Sequence, residues 1–376
     1  MQKRFTVEFM GPMSYFLGCR YDWIDHEDGS LSVHISQEGF LEAVLDKFGL
    51  EHSREAATPF RSGLPIDRIP HLENMKLADR LALRKTMQSI LGCLTWLSIG
   101  TRPDISVPTS LLSQFQNEPS PGHLDGAKHV LRYLSGTSTY GISYHQNASL
   151  APTPWPKADP NVQTHTYTDS NWGPQDASKP LPPDLETRTV TEDECRSIQG
   201  YIVMRSHGPI AWGLNREKRI SGSSCEAEIK AVDEGTKTTQ FVRFLEEELS
   251  IGTTSSPTPL FNDNNGAVDW SNTGKVSKKL RHVNIREFCV RQSRRAKEIE
   301  IIFIPGKQNP SDLLTKEHKG SDEFYRVRDV VVNPRPDGGC WNVSGTRLDA
   351  RRVTWADVVS GATINSSSLN DLTQIF

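Results

Sequence analysis

From Thr164 onward the residue pattern becomes strand-like, and the order in which strands and helices then alternate limits the fold more than any other feature of the chain. Three strand runs come first, Thr164 to Trp172, Ile198 to Arg205 and Ile210 to Leu214, with a polar Pro/Asp/Glu-rich loop after the first. A long helix, Glu226 to Leu249, follows. Then come a strand ending at Phe261, helices near Asn265 to Ser271 and Val283 to Ala296, a strand from Ile299 to Ile304 and a helix opening at Ser311. A strand meander followed by helix-linked strands predicts an α/β fold, a mixed sheet with helices on its faces.

The stretch before this pattern has a different character. Residues 150 to 160 (LAPTPWPKADP) hold four prolines, which offer no N–H to a strand ladder and bias their neighbours toward extended backbone. A linker over 150–162 therefore separates two domains, 1–149 and 163–320, and 376 residues suffice for two cores. In the first segment, strand-like runs at Tyr15 to Trp23 and Leu31 to Ser36 flank the turn-forming Glu27-Asp28-Gly29. Helices are expected at Phe40 to Phe48, Asp79 to Ser98, Ile105 to Gln116 and His123 to Leu134, giving a mostly helical subdomain. Residues 321–376 read as a partly disordered extension, because the tail after about Asn333 has no clear period.

Six cysteines (Cys19, Cys93, Cys195, Cys225, Cys289, Cys340) include no C-x-x-C pair, which points away from a zinc ribbon or a disulfide framework and toward a reducing compartment. The longest apolar run, around Ile90 to Ile99, is too short to span a bilayer, so the expectation is a cytoplasmic or nuclear protein without membrane contact. A net charge of −3 neither requires nor excludes a nucleic-acid partner, because opposite charges can sit on different faces.

Four acids stand at informative places: Asp169 in YTDSNW, Glu228 in SSCEAEIKAV, Asp263 in FNDNNGA and Asp312 in NPSDLLTK. Asp169 lies inside the first strand, and Asp263 falls just past the end of a later one, where open α/β sheets place their sites. On the long helix, steps of 100° put Glu228 on a face with Ala231, Val232, Val242 and Leu249, toward the sheet, whereas Glu226 points to solvent. A carboxylate on an apolar face is expensive unless a cation meets it, which favours Glu228 as the functional acid. Asp312 opens its helix directly after a strand; the alternative for it is a plain helix cap. Four crowded carboxylates stay ionised only around cations, and oxygen-only ligands suit magnesium or manganese. Two such ions can serve phosphodiester hydrolysis.

Between Lys275 and Lys297 there are nine Lys/Arg against one Glu287, interleaved with Leu280, Val283, Ile285, Phe288 and Val290. The pattern predicts a helix with one basic face, on which Lys278, Lys279, Arg281, His282, Arg286 and Arg291 would contact phosphates; a merely solvated helix is the alternative. Trp172 and Trp212 read as core residues rather than base-stacking groups.

Taken in order, YFLGCRYDW, ISQEGFLEAVLDKFGL, ILGCLTWLSIGTRPDI and HVLRYLSGT, then YTDSNWG, SIQGYIVM, GPIAWG, SSCEAEIKAV, FNDNNGA, RHVNIREF and IPGKQNPSDLLTK, are similar to successive blocks of copia-type retrotransposon polyproteins. The chain over about residues 5 to 330 resembles the end of a reverse transcriptase joined to its ribonuclease H domain. That resemblance implies a ribonuclease H-like five-stranded mixed sheet with flanking helices, preceded by a thumb or connection remnant. It implies that Asp169, Glu228, Asp263 and Asp312 hold two Mg2+ or Mn2+ ions and cut the RNA strand of RNA–DNA hybrids, recognised in part through 2′-hydroxyls. The rest of a retrotransposon polymerase becomes an expected partner, and a virus-like particle an expected location if the element is active.

Departures from the pattern bear on activity. The tyrosine-x-Asp-Asp polymerase block is absent, so DNA synthesis by this chain alone is not expected, and a catalytically inactive relic or nucleic-acid-binding module is the rival reading. Asn284 replaces the usual Asp in RHVNI, the loop from Gly173 to Cys195 is long, and no histidine lies between Ile304 and Asp312 to assist product release.

Overall fold

The computed structural model describes residues 11–60, 75–146, 164–172, 196–251, 256–273, 287–318 and 320–336. The first part opens with strands β1 (Tyr15–Phe16), β2 (Cys19–Asp25) and β3 (Leu31–Ser36). The single strand expected from Tyr15 is thus broken in two at Leu17 and Gly18, both with positive φ. Helices α1 (Glu38–Lys47), α2 (Leu77–Gly100), α3 (Ser106–Ser113) and α4 (Pro121–Ser135) follow, with a 3-10 turn at Pro103–Ile105 between α2 and α3. Helix α4 starts where it does because Pro121 cannot extend a helix backwards and the Ser120 hydroxyl accepts from the His123 N–H, while His123 returns a ring nitrogen to the Ser120 N–H.

Strand β4 (Tyr140–His145) then pairs antiparallel with β3. The second part comprises β5 (Thr164–Asn171), β6 (Ile198–Arg205), β7 (Gly208–Arg216), α5 (Ser224–Glu248), β8 (Thr258–Asn262), α6 (Asn265–Thr273), α7 (Glu287–Arg295) and β9 (Ile299–Phe303). Its sheet runs β7-β6-β5-β8-β9, antiparallel among the first three strands and parallel from β5 to β8 to β9. This is the ribonuclease H-like mixed five-stranded sheet with flanking helices. The helix expected at Ser311 is instead a 3-10 turn, Pro310–Leu314, because Asn309 takes the Ser311 N–H and the Thr315 N–H closes back on Asp312.

The chain ends its described course in α8 (Ser321–Val331) and β10 (Asn333–Pro334), which rejoin the first part. Strand β10 pairs with β4, completing a second sheet of order β1-β2-β3-β4-β10, and Phe324, Val327, Val330 and Val331 of α8 are buried. The first part is mostly helical, as expected, and the expected strands join β4 and β10 in an antiparallel sheet that the helices cover. The expected extension begins as a packed helix, while residues 337–376 lie outside the described residues, as does the proline-rich linker.

One hydrophobic core serves both parts. Ile90, Leu94, Leu131 and Tyr133 belong to the same buried cluster as Tyr167, Ile202, Leu313, Leu314 and Phe324. The seam is tight: the Trp212 indole donates to the Ser98 carbonyl at 2.9 Å, the Tyr144 hydroxyl to the Pro209 carbonyl at 2.6 Å, and a Cβ at Gly208 would meet the Ser143 carbonyl at 2.1 Å. No helix among the described residues is long and apolar enough to cross a membrane.

Candidate metal centre

Three strands and one helix bring the four acids to one end of the sheet. Asp169 sits in the central strand β5, opposite Gly200 of β6. On its other side β5 runs parallel to β8 with Thr166 beside Leu260 and Tyr167 beside Phe261, so the register carries Asp169 level with Asp263, just past the end of β8. Asp312 comes from the turn after β9. That turn rests directly on β6: a Cβ at Gly200 would stand 2.8 Å from both Leu314 Cβ and Thr315 Cγ2, so the absent side chain is what lets the turn come down beside Asp169. Side chains then tie it in place, with Asn309 Nδ2 donating to the Thr168 carbonyl at 2.9 Å, Asn171 Nδ2 to the Thr315 carbonyl at 3.2 Å, and the Thr315 hydroxyl to Asp169 Oδ2.

Glu228 arrives on the second turn of α5, whose first turn is capped by the Ser223 hydroxyl. Seven residues on, Gly235 allows the helix to lie close against β5, since a Cβ there would be 2.4 Å from Thr168 Cγ2. Glu228 Oε1 accepts from the Ser170 N–H at 3.3 Å and Oε2 from Asn262 Nδ2 at 2.9 Å.

Carboxylate oxygens of Asp169, Asp263 and Asp312 lie within 4.8 Å of one another. Glu228 is not one of that group; its carboxylate is held by Ser170 and Asn262, close enough for its charge to act on Asp169. Burial, then the charge of Glu228, pushes the Asp169 carboxyl well above its ordinary range despite the opposing Lys316. Burial also raises Glu228, to about 7, and Asp263. Lys316 places Nζ 2.5 Å from Asp312 Oδ1 and 3.7 Å from Asp169 Oδ1. Burial disfavours its charge, but Asp169 and Asp312 outweigh that and hold the ammonium well above the usual lysine range. With only Lys316 to offset them, these carboxyl groups resist ionisation unless further positive charge is supplied, and their oxygen ligands fit hard divalent cations.

The other expectations divide. Glu226, expected in solvent, is buried, its carboxylate accepting from the Gly222 N–H at 2.9 Å and pairing with Lys230 at 3.0 Å; a first-turn acid can fold back over its own N-terminus. Leu249, placed with Glu228 on the inner face, is exposed, standing at the C-cap just past the last residue of α5. Arg291, expected on a phosphate-contacting face, is only 4% exposed: its guanidinium lies 3.8 Å from the Trp270 ring centroid and donates to the Trp270 carbonyl. Lys278, Lys279, Arg281, His282, Asn284 and Arg286 lie outside the described residues. Trp212 packs on the main core, but Trp172 is 51% exposed and corrects the core expectation.

Sequence reasoning missed Lys316, Thr315, Asn262 and Gly200. Lys316 alone carried a signal, being four residues after Asp312; the others matter through neighbours distant in the chain.

The sheet order is that of a ribonuclease H-like α/β fold, with the acidic cluster at one end of the sheet. The relatives agree with the copia-type resemblance. The chain is 27% identical over 316 residues to the retrovirus-related Pol polyprotein from transposon RE1 of Arabidopsis thaliana, covering 84% of this chain and 19% of that protein. It is 25% identical over 317 residues to the corresponding polyprotein from transposon TNT 1-94 of Nicotiana tabacum, covering 84% of this chain and 21% of the relative. The chain thus spans about a fifth of the length of these two polyproteins. Among solved structures, LC11-RNase H1, isolated from compost and solved in complex with an RNA/DNA hybrid, shares 10% identity at a TM-score of 0.28, covering 41% of this chain and 94% of that one. No family model matches the chain.

Proposed function

We propose that this chain hydrolyses the RNA strand of RNA–DNA hybrids, with residues 163–320 as the nuclease unit and two Mg2+ or Mn2+ ions held by Asp169, Glu228, Asp263 and Asp312. The observation that carries this reading is the meeting of three carboxylates from three separate elements, with oxygens within 4.8 Å of one another. Asp169 and Asp312 are buried and Asp263 half-buried, with Asp169 tied by the Thr315 hydroxyl and Asp312 by Lys316. Such ions, when bound, lower the pKa of an attacking water and stabilise the leaving oxygen of a phosphodiester.

The chain's own groups prepare the site. Asn262 and the Ser170 N–H fix the direction of Glu228, Thr315 fixes one oxygen of Asp169, and the His318 ring, 3.1 Å from the Asp312 carbonyl, steadies the turn. Lys316, with its side chain 39% exposed, brings positive charge to the solvent side of the cluster, where a phosphodiester is attracted. The relatives are Pol polyproteins, and the remainder of such a polyprotein is the partner proposed for this chain.

A labelled hybrid incubated with magnesium and either the full chain or Asp169→Asn tests the proposal. Cleavage by the first and none by the second, at equal binding and equal circular dichroism, is the expected result. Binding by both in low salt with cleavage by neither would instead establish a nucleic-acid-binding relic.

A further inference from the structure

Four consecutive residues at the end of β5 are used in four different ways. Asp169 enters the carboxylate cluster, the Ser170 N–H holds Glu228, and Asn171 holds the Thr315 carbonyl. Trp172 completes the series with its indole N–H donating to the Ser221 carbonyl at 2.9 Å, in the loop that leads into α5. That bond spends the one polar group of the ring and fixes its plane, yet half of the side chain, 51%, faces solvent. It is a large aromatic surface held at a set angle about 10 Å along the chain from Asp169, a separation that a nucleic-acid strand of two nucleotides can span.

We infer that Trp172 is a substrate-contacting residue, on whose exposed face a base or sugar of the nucleic-acid strand stacks beside the cleaved phosphodiester. Stacking on an indole tolerates every base, which suits a nuclease that must cut without regard to sequence. It also gives grip without charge, at a point where the neighbouring carboxylates would repel the backbone. This inference rests on the nuclease reading for the identity of the strand, but not for the binding itself.

The test uses the full chain with a 16-base-pair hybrid, in calcium for binding and in magnesium for cleavage, comparing wild type with Trp172→Phe and Trp172→Ala. The alanine variant should raise Kd and KM on the order of tenfold with kcat little changed, whereas phenylalanine, which keeps a ring, should stay within about threefold of wild type. The salt dependence of Kd should keep its slope in both variants, since no phosphate contact is lost. Subtracting the fluorescence of Trp172→Phe from that of wild type should isolate an emission component that the hybrid quenches.

Equal KM and Kd for all three proteins would overturn the inference while leaving the nuclease reading intact. So would an equal loss in both variants with a lowered melting temperature, which would make the indole N–H a structural tie to Ser221. A wild-type chain that binds hybrid through Trp172 but never cuts it would sink the nuclease reading and leave this one standing.

Discussion

Replacing Gly200 by alanine probes a contact on which the placement of Asp312 beside Asp169 depends. Gly200 faces Asp169 across β5 and β6, and the turn bearing Asp312 lies on the hydrogen that stands where a side chain would be. The added methyl would find Leu314 Cβ and Thr315 Cγ2 both at 2.8 Å, and neither is the tip of a flexible chain. To regain ordinary contact the turn must draw back by about 0.6 Å, because carbon atoms so close are on the repulsive wall. Leu313 and Leu314 are locked in the core shared with the first part, so the retreat strains the protein by about 1–3 kcal/mol. Asp312 withdraws from Asp169 by a similar distance, and misplacement of this size lowers catalysis roughly ten- to hundredfold. Calorimetric titration of Mn2+ into the full-length variant, with hybrid cleavage and a thermal melt in parallel, reads all three effects. Wild-type Mn2+ affinity and cleavage in Gly200→Ala would refute the claim that this close approach builds the site.

Two further predictions concern the apo site and the core. Burial raises the Glu228 carboxyl to about 7, so its folded pKa exceeds its unfolded one; the associated stability is fully present below pH 4.5 and is lost as pH rises through 7. The loss is on the order of 3 kcal/mol for the metal-free protein, and it should shrink in Glu228→Gln and on adding Mg2+ at pH 8; equal denaturant midpoints at pH 5 and 8 would contradict it. Phe324→Ala, which empties a fully buried ring site where α8 meets Tyr133 at 5.7 Å, should cost about 3–5 kcal/mol and shift the unfolding of both sheets together. Separate transitions, with only the first part weakened, would show that the shared core does not couple them.

Periodicity and turn chemistry settled the local elements. Strands Leu31–Ser36 and Ile198–Arg205 fall where alternation and flanking turn residues put them, and α5 starts and stops within two residues of its expected limits. Three acids at strand ends, and Glu228 on the sheet-facing side of a helix, were legible because a strand's end and a helix's inner face are properties of the chain itself. The packing was not legible. Strand β4 and the β10 strand that pairs with it are some 190 residues apart, and neither run carries a pattern strong enough to announce a sheet. Helix α8 reads as polar until Phe324 and Val327 find the helices of the first part. Arg291 and Trp172 exchanged their expected places, the cation going inward onto Trp270 and the indole outward to solvent. A sequence specifies which residues share a face, since that follows from backbone geometry; what covers the face depends on segments far along the chain, and so only the tertiary structure decided that Gly200 and Lys316 would stand beside Asp169 and that Trp172 would face solvent.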